Sequence, residues 1–164
     1  MFEEFSGATF SECRNYRYLL WRVWDESKPA AVFLMLNPST ADDVDNDPTV
    51  ERCQRRVHAL GYGSLKVVNI FAYRSTDPTA LYEQPDPIGP GNDEAILLAT
   101  KSAGIVICGW GTDGSLRGRG EKVIELLREN GITPHYLKLN KDGSPGHPLY
   151  IAYSVKPKPF PLPQ

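Results

Sequence analysis

Four short segments place polar or aromatic side chains where an apolar run of this 164-residue chain gives out. Asn37-Pro38-Ser39 follows Ala31 to Leu36, and Asn69 stands near the end of Leu65 to Ile70. Gly109-Trp110-Gly111 follows Ile105 to Cys108, and His147-Pro148 opens a last extended run. A carboxamide such as Asn37 or Asn69 offers donors and an acceptor, enough to hold a water or the edge of a planar ligand. Pro38 stiffens the turn after Asn37 and removes a backbone donor. The His147 imidazole titrates near neutrality and suits an electrophile or an acid/base group. Each residue also has a plain structural use: an Asx turn at Asn37, a tight turn around Trp110, a hydrogen-bonded structural histidine at 147.

Phe71 and Tyr73, just beyond Asn69, can stack on a base or serve as ordinary core and rim aromatics. Ser39, Arg74, Arg117 and Arg119 are candidate phosphate contacts. The last two arginines follow a strand and a glycine-rich loop and precede a helix, an order that can cradle an anion but is neither GxGxxG nor a P-loop. Asp42, Asp43, Asp45 and Asp47 raise the question of a cation, but the Gly and closing Glu of an EF-hand are missing. A solvated acidic loop is the favoured reading, with Asp42 the candidate general base. His58 and His135 lack a comparable setting, and no serine elbow or Cys-His pairing is legible. Cys13, Cys53 and Cys108 are odd in number and far apart, which reads as reduced thiols, so no metal and no cofactor is expected.

These residues need a scaffold, and the hydrophobic pattern supplies one. Tyr16 to Trp24 alternates as a strand, Ala31 to Leu36 is a short continuous apolar run that reads as a buried strand, and Leu65 to Ile70 is another apolar run that reads as a strand. Asp47 caps a helix with Pro48 at its first position, and Val50, Cys53, Val57 and Leu60 recur at helical spacing up to Gly61. Further helices are expected from Asn92-Asp93 to Ala103 and from Glu121 to Asn130, with a strand at Ile105 to Cys108 and another at Pro134 to Leu139. The alternation predicts a three-layer α/β/α domain over residues 1–155, with a mostly parallel central sheet and its ligand site beyond the carboxyl ends of the strands. Thr76 to Gly91 reads as a loop, and 156–164 as a proline-rich extended tail.

A net charge of −2 rules out the global basic field that drives tight nonspecific binding to phosphate backbones, though Arg52, Arg55 and Arg56 are clustered. The acidic opening lacks a basic stretch before an apolar run, and no segment reaches the length of a membrane span. A cytoplasmic protein with no membrane partner is expected.

Taken in order, LMLNPS, VVNIFAY, VICGWG and GHPLY resemble the motif series of the uracil-DNA glycosylase superfamily, and the Asn-Pro form resembles its mismatch-specific branch. The resemblance implies that Asn37 and Pro38 position the attacking water and that Asn69 reads the base edge. It further implies that Phe71 stacks on the flipped base, that Trp110 is architectural, and that His147 stabilises negative charge on the departing base. Two departures stand out. The family's His-Pro-Ser-Pro loop is His147-Pro148-Leu149-Tyr150 here, which loses the serine that helps pinch a DNA phosphate. The aspartate base of the most efficient members is missing as well, which leaves water activation to Asn37, a backbone carbonyl or a nearby carboxylate such as Asp42.

From Tyr18-Leu19-Leu20-Trp21 through His147-Pro148-Leu149-Tyr150 the chain also resembles domain of unknown function 1643, a bacterial and phage family that implies no established activity. The leading expectation is an N-glycosidic-bond hydrolase acting on a nucleobase in nucleic acid or a nucleotide. Two other classes compete: a non-catalytic nucleotide or modified-base binding module, and a metal-dependent phosphohydrolase using Asp42 to Asp47.

Overall fold

A computed structural model describes residues 5–162. Ala-Ala-Val-Phe-Leu-Met has no polar side to turn to solvent, and it forms a strand enclosed on both faces, β3 (Ala30–Met35), with five of its six residues buried. The other strands are β1 (Phe5–Phe10), β2 (Arg17–Val23), β4 (Ser64–Asn69), β5 (Ile105–Cys108), β6 (Pro134–Tyr136) and β7 (Lys158–Pro159). They pair in the order β1-β2-β4-β3-β5-β6-β7. Parallel pairing is confined to β4-β3-β5-β6, while β1 with β2, β2 with β4, and β6 with β7 are antiparallel.

The sheet is therefore mixed, where the sequence pattern suggested mostly parallel. For β1 and β2 the reason is connection length: they are joined by a short turn, which permits only a hairpin, whereas the parallel strands are separated by helical crossovers. The strand expected over Pro134 to Leu139 stops at Tyr136, because Leu139 bridges to Pro145 and opens a loop. Lys158–Pro159 adds a two-residue edge strand, a place where proline is tolerated, and the Phe160 ring packs edge-on to Tyr136 at 5.1 Å.

The helices are α1 (Pro48–Ala59), α2 (Ala80–Glu83), α3 (Asn92–Thr100) and α4 (Arg119–Glu129). Asp47 caps α1 by accepting from the Val50 N–H at 2.8 Å, with Pro48 at the first helical position. α2 is a single turn within the segment read as loop. Successive residues of β3 divide between two apolar clusters: Ala31, Phe33 and Met35 pack with Val50, Cys53 and Val57 of α1, whereas Val32 and Leu34 pack with Ile96 of α3 and Val123 and Leu127 of α4. Among the described residues no helix is long and apolar enough to cross a membrane.

Candidate functional site

The connection out of β3 runs through α1 to β4 on one side of it, and the connection out of β5 runs through α4 to β6 on the other. Chain paths diverging in this way leave a crevice at the carboxyl ends of β3 and β5. A cavity of about 370 Å³ lies there, lined by Asn37, Pro38 and Ser39 beyond β3, Asn69 at the end of β4, Trp110 and Gly111 beyond β5, and His147. The four strand-end residues singled out in the sequence thus share one cavity.

Asn37 is held by its amide nitrogen. Nδ2 donates to the Ser75 carbonyl at 2.9 Å, and more weakly to those of Pro38 at 3.3 Å and Tyr73 at 3.5 Å. A carbonyl can only accept, so the orientation is settled and Oδ1 is the atom left over. Among the described residues Oδ1 has no protein partner, which leaves Asn37 offering an acceptor.

Asn69 has the opposite polarity. Its Oδ1 accepts from Nη2 of Arg17 at 3.4 Å, and because a guanidinium only donates, Nδ2 is the atom left free. The backbone around it is pinned: Asn92, the first residue of α3, donates from Nδ2 to the Asn69 carbonyl at 2.9 Å and to that of Ile70 at 3.3 Å. Arg17 itself lines the cavity and was not anticipated as a site residue. It is the first residue of β2, and only because β2 runs antiparallel to β4 does its start lie at the carboxyl ends of the parallel strands.

His147 stands at the head of a 3-10 turn, Pro148–Tyr150, rather than an extended run. Its Nδ1 accepts from the Leu149 N–H at 3.2 Å, so the neutral ring carries its proton on Nε2. Burial pushes the imidazole pKa down, with Asp47 opposing weakly, which keeps the ring neutral at physiological pH. The loop before it is tied to the sheet by Gly111 N–H to Pro145 carbonyl at 2.8 Å and Gly146 N–H to Lys138 carbonyl at 2.7 Å. The segment after it is held by the arginine cluster of α1. Arg52 donates to Ile151 at 2.8 Å, and buried Arg56 donates to Ile151 at 2.7 Å, Val155 at 2.9 Å and Ala152 at 3.1 Å. Two of the three clustered arginines are thus braces for the histidine loop, while exposed Arg55 pairs with Glu51 at 3.0 Å.

Two carboxylates line the cavity, Asp47 and Asp113, and Asp42 is not one of them. Asp42 Oδ1 accepts from the backbone N–H groups of Val44 at 2.9 Å and Asp45 at 2.7 Å, and these bonds hold its carboxyl below the ordinary range. The acidic loop spends its carbonyls on Arg22, which donates to that of Asp42 at 2.7 Å and to that of Asp45 at 3.3 Å. Among the described residues no three His, Cys, Asp or Glu side chains converge as a metal-binding group.

Several other expected contacts lie elsewhere. Phe71 is fully buried in the apolar cluster with Leu81 and Ile96, where no ligand can stack on it. Tyr73 meets the Tyr16 ring edge-on at 5.9 Å and is not among the cavity-lining residues. Arg74 donates to the Arg14 carbonyl at 3.0 Å, and Arg117 donates to the carbonyls of Gln84 at 3.1 Å and Pro85 at 3.3 Å. Arg119 is buried, with Nε donating to the Ile70 carbonyl at 2.8 Å and Nη2 lying 2.7 Å from the Asp93 carboxylate, off the hydrogen-bond line. Of the proposed phosphate contacts only Ser39 faces the cavity. Besides Arg17, the polar lining residues that the sequence did not point to are Thr49, Ser75, Thr76 and Asp113, whereas Asp47 comes from the aspartate cluster in which the sequence points to Asp42. For Asp47 a signal was present in its own helix cap.

Trp110 is the shared wall between this cavity and a second one of about 260 Å³ lined by Thr112, Gly114, Gly120 and Glu121. Its indole fits only because residues 114 and 120 have no side chain: a Cβ would fall 2.1 Å from Cδ1 at the first and 2.7 Å from Nε1 at the second.

No curated protein and no solved structure matches this chain. The family described as protein of unknown function (DUF1643) matches over residues 17–149, a span that includes Arg17, Asn37, Asp47, Asn69, Trp110 and His147. On that match the chain belongs to the DUF1643 family.

Proposed function

We propose that this protein hydrolyses the N-glycosidic bond of a nucleobase, on a three-layer scaffold of the uracil-DNA glycosylase kind. The observation that carries the reading is the set of unspent polar atoms around one cavity. Asn37 offers an acceptor, Asn69 a donor, and neutral His147 a donor at Nε2. In this reading Asn37 Oδ1 accepts from a water and aims its oxygen at C1′ of the sugar. The C1′–N bond breaks with its electron pair passing to the base, and the C1′–O bond forms. Charge gathers on a base carbonyl oxygen, which accepts a hydrogen bond from His147 Nε2. Asn69 Nδ2 donates to a second carbonyl of the base edge. The water's proton passes to Asp47, a carboxylate that lines the cavity beside Thr49 and Val50.

With Arg74, Arg117 and Arg119 engaged within the protein, the reading favours a nucleotide or a single extruded base over a long stretch of phosphate backbone. The three free thiols agree with a cytoplasmic setting. The test is base release. Purified protein is incubated with uracil-, hypoxanthine- and damaged-base oligonucleotides and with the matching nucleotides, and free base is separated by chromatography. Release that disappears in His147→Gln supports the reading. Selective binding without release would make the protein a binding module instead.

A further inference from the structure

Arg17 is 2% exposed, yet among the described residues no carboxylate lies within ion-pair distance of it. One guanidinium nitrogen donates to the Ala41 carbonyl at 3.1 Å and another, at a long 3.4 Å, to Asn69 Oδ1, while Nε is buried with no acceptor. A buried cation is costly unless its charge is answered, and two neutral oxygens answer it poorly. Asp47 acts on it from α1, but Arg22 of its own strand and Arg74 beyond β4 oppose that help. Burial lowers its pKa to about 10, so it remains charged at neutral pH. Asn69 and His147 line the same cavity as Arg17, and each has a donor unspent, Nδ2 and Nε2–H. Arg17 and Asn69, adjacent through their hydrogen bond, thus bring a charge and a free donor to one side of the site.

We propose that this side of the cavity is a binding site for a planar, singly charged acceptor group, with Arg17 as its counter-charge and Asn69 Nδ2 as the adjoining donor. The ligand is then an acidic heterocycle, its charge carried either by a ring carboxylate or by an ionised ring N–H flanked by carbonyls. This deepens the glycosidase reading and rests on its premise that the cavity holds a planar base. Arg17 is a binding residue, and it also keeps the Asn69 amide turned with nitrogen outward.

The experiment is calorimetric titration of the full chain with two pairs of near-isosteric free ligands. One pair is a pyrimidinedione bearing a carboxylate and the same ring bearing a carboxamide. The other is a nitro-substituted pyrimidinedione, ionised at neutral pH, and its un-ionised parent. In the wild-type protein the charged member of at least one pair should bind about tenfold or more tightly than its neutral partner. The pair that shows the preference identifies the source of the charge. Arg17→Gln, which keeps donors but not charge, should abolish the preference, and Arg17→Lys should restore part of it. Equal or tighter binding of both neutral members overturns the proposal, as does an undiminished preference in Arg17→Gln. If Arg17→Gln does not fold, the wild-type pairs alone decide. Charge preference without base release from any oligonucleotide or nucleotide would retain this site and remove the glycosidase reading; release without charge preference would do the reverse.

Discussion

Nη2 of Arg56 donates to the carbonyl oxygen of Ile151 at 2.7 Å, tying the last turn of α1 to the segment that follows His147. The same guanidinium serves Ala152 and Val155, so one buried cation satisfies three carbonyls that have left regular structure. Arg56→Met removes these bonds while keeping most of the side-chain volume. It should cost roughly 2–4 kcal/mol of unfolding free energy, as expected when charge-assisted bonds are lost and buried acceptors are orphaned. Urea denaturation measures the loss. The Nε2 resonance of His147 should also shift, because its loop loses its brace.

His147 gives a pH prediction with a definite sign. Its folded pKa lies below the ordinary imidazole value because burial disfavours the charged ring. The unfolded chain therefore binds the proton first as pH falls. The contribution to stability is complete above the unfolded value of about 6.5 and is lost as pH drops from there through the lower folded value. Nitrogen-detected NMR should find the Nε2–H tautomer at pH 7 and a midpoint below that of a histidine in a short peptide. A midpoint above it would contradict the buried, acceptor-type Nδ1.

Asp42 and Asp47 separate cleanly by substitution. Asp47→Asn keeps a side-chain oxygen for the Val50 N–H, since Asn caps helices as well as Asp, but it removes a carboxylate from the cavity. Base release should fall by about 100-fold or more, with the melting temperature little changed. Asp42→Asn should leave base release within about twofold, since its carboxylate serves only its own turn. Chelator should change neither variant's rate.

Phe71→Leu tests whether this ring meets the ligand. In the apolar cluster the exchange should cost on the order of 1 kcal/mol. Ligand affinity, measured by the same calorimetry, should remain that of the wild type. A large fall in affinity with intact stability would return Phe71 to the site.

The elements that hold the site were legible where one local signal sufficed. β3 announces itself as an unbroken apolar run, β4 as a mainly apolar one carrying Lys66 and Asn69, and α1 by Asp47-Pro48 ahead of residues at helical spacing. Asn37 and Asn69 could be picked out because an amide ending such a run is conspicuous. What escaped was set by long-range pairing. Arg17 looks like any charged residue in an alternating strand until the antiparallel pairing of β2 with β4 brings it beside Asn69. Phe71 was misplaced because an aromatic just past a strand end can face either the ligand or the core, and the later packing of α2 and α3 decides which. Among four aspartates in a row of six residues, spacing could not distinguish the one at the cavity from the one closing a turn.

The close fit of the Trp110 indole against Gly114 and Gly120 makes the size of the site adjustable from outside it. A single methyl group at either position meets the ring, so something must shift, and Trp110 also lines the cavity with Asn37, Asn69 and His147. For a ligand bound as proposed, breadth would then depend on a wall whose supports, Gly114 and Gly120, do not line the cavity. Family members that differ only at such supports would share the same polar chemistry while admitting rings of different breadth.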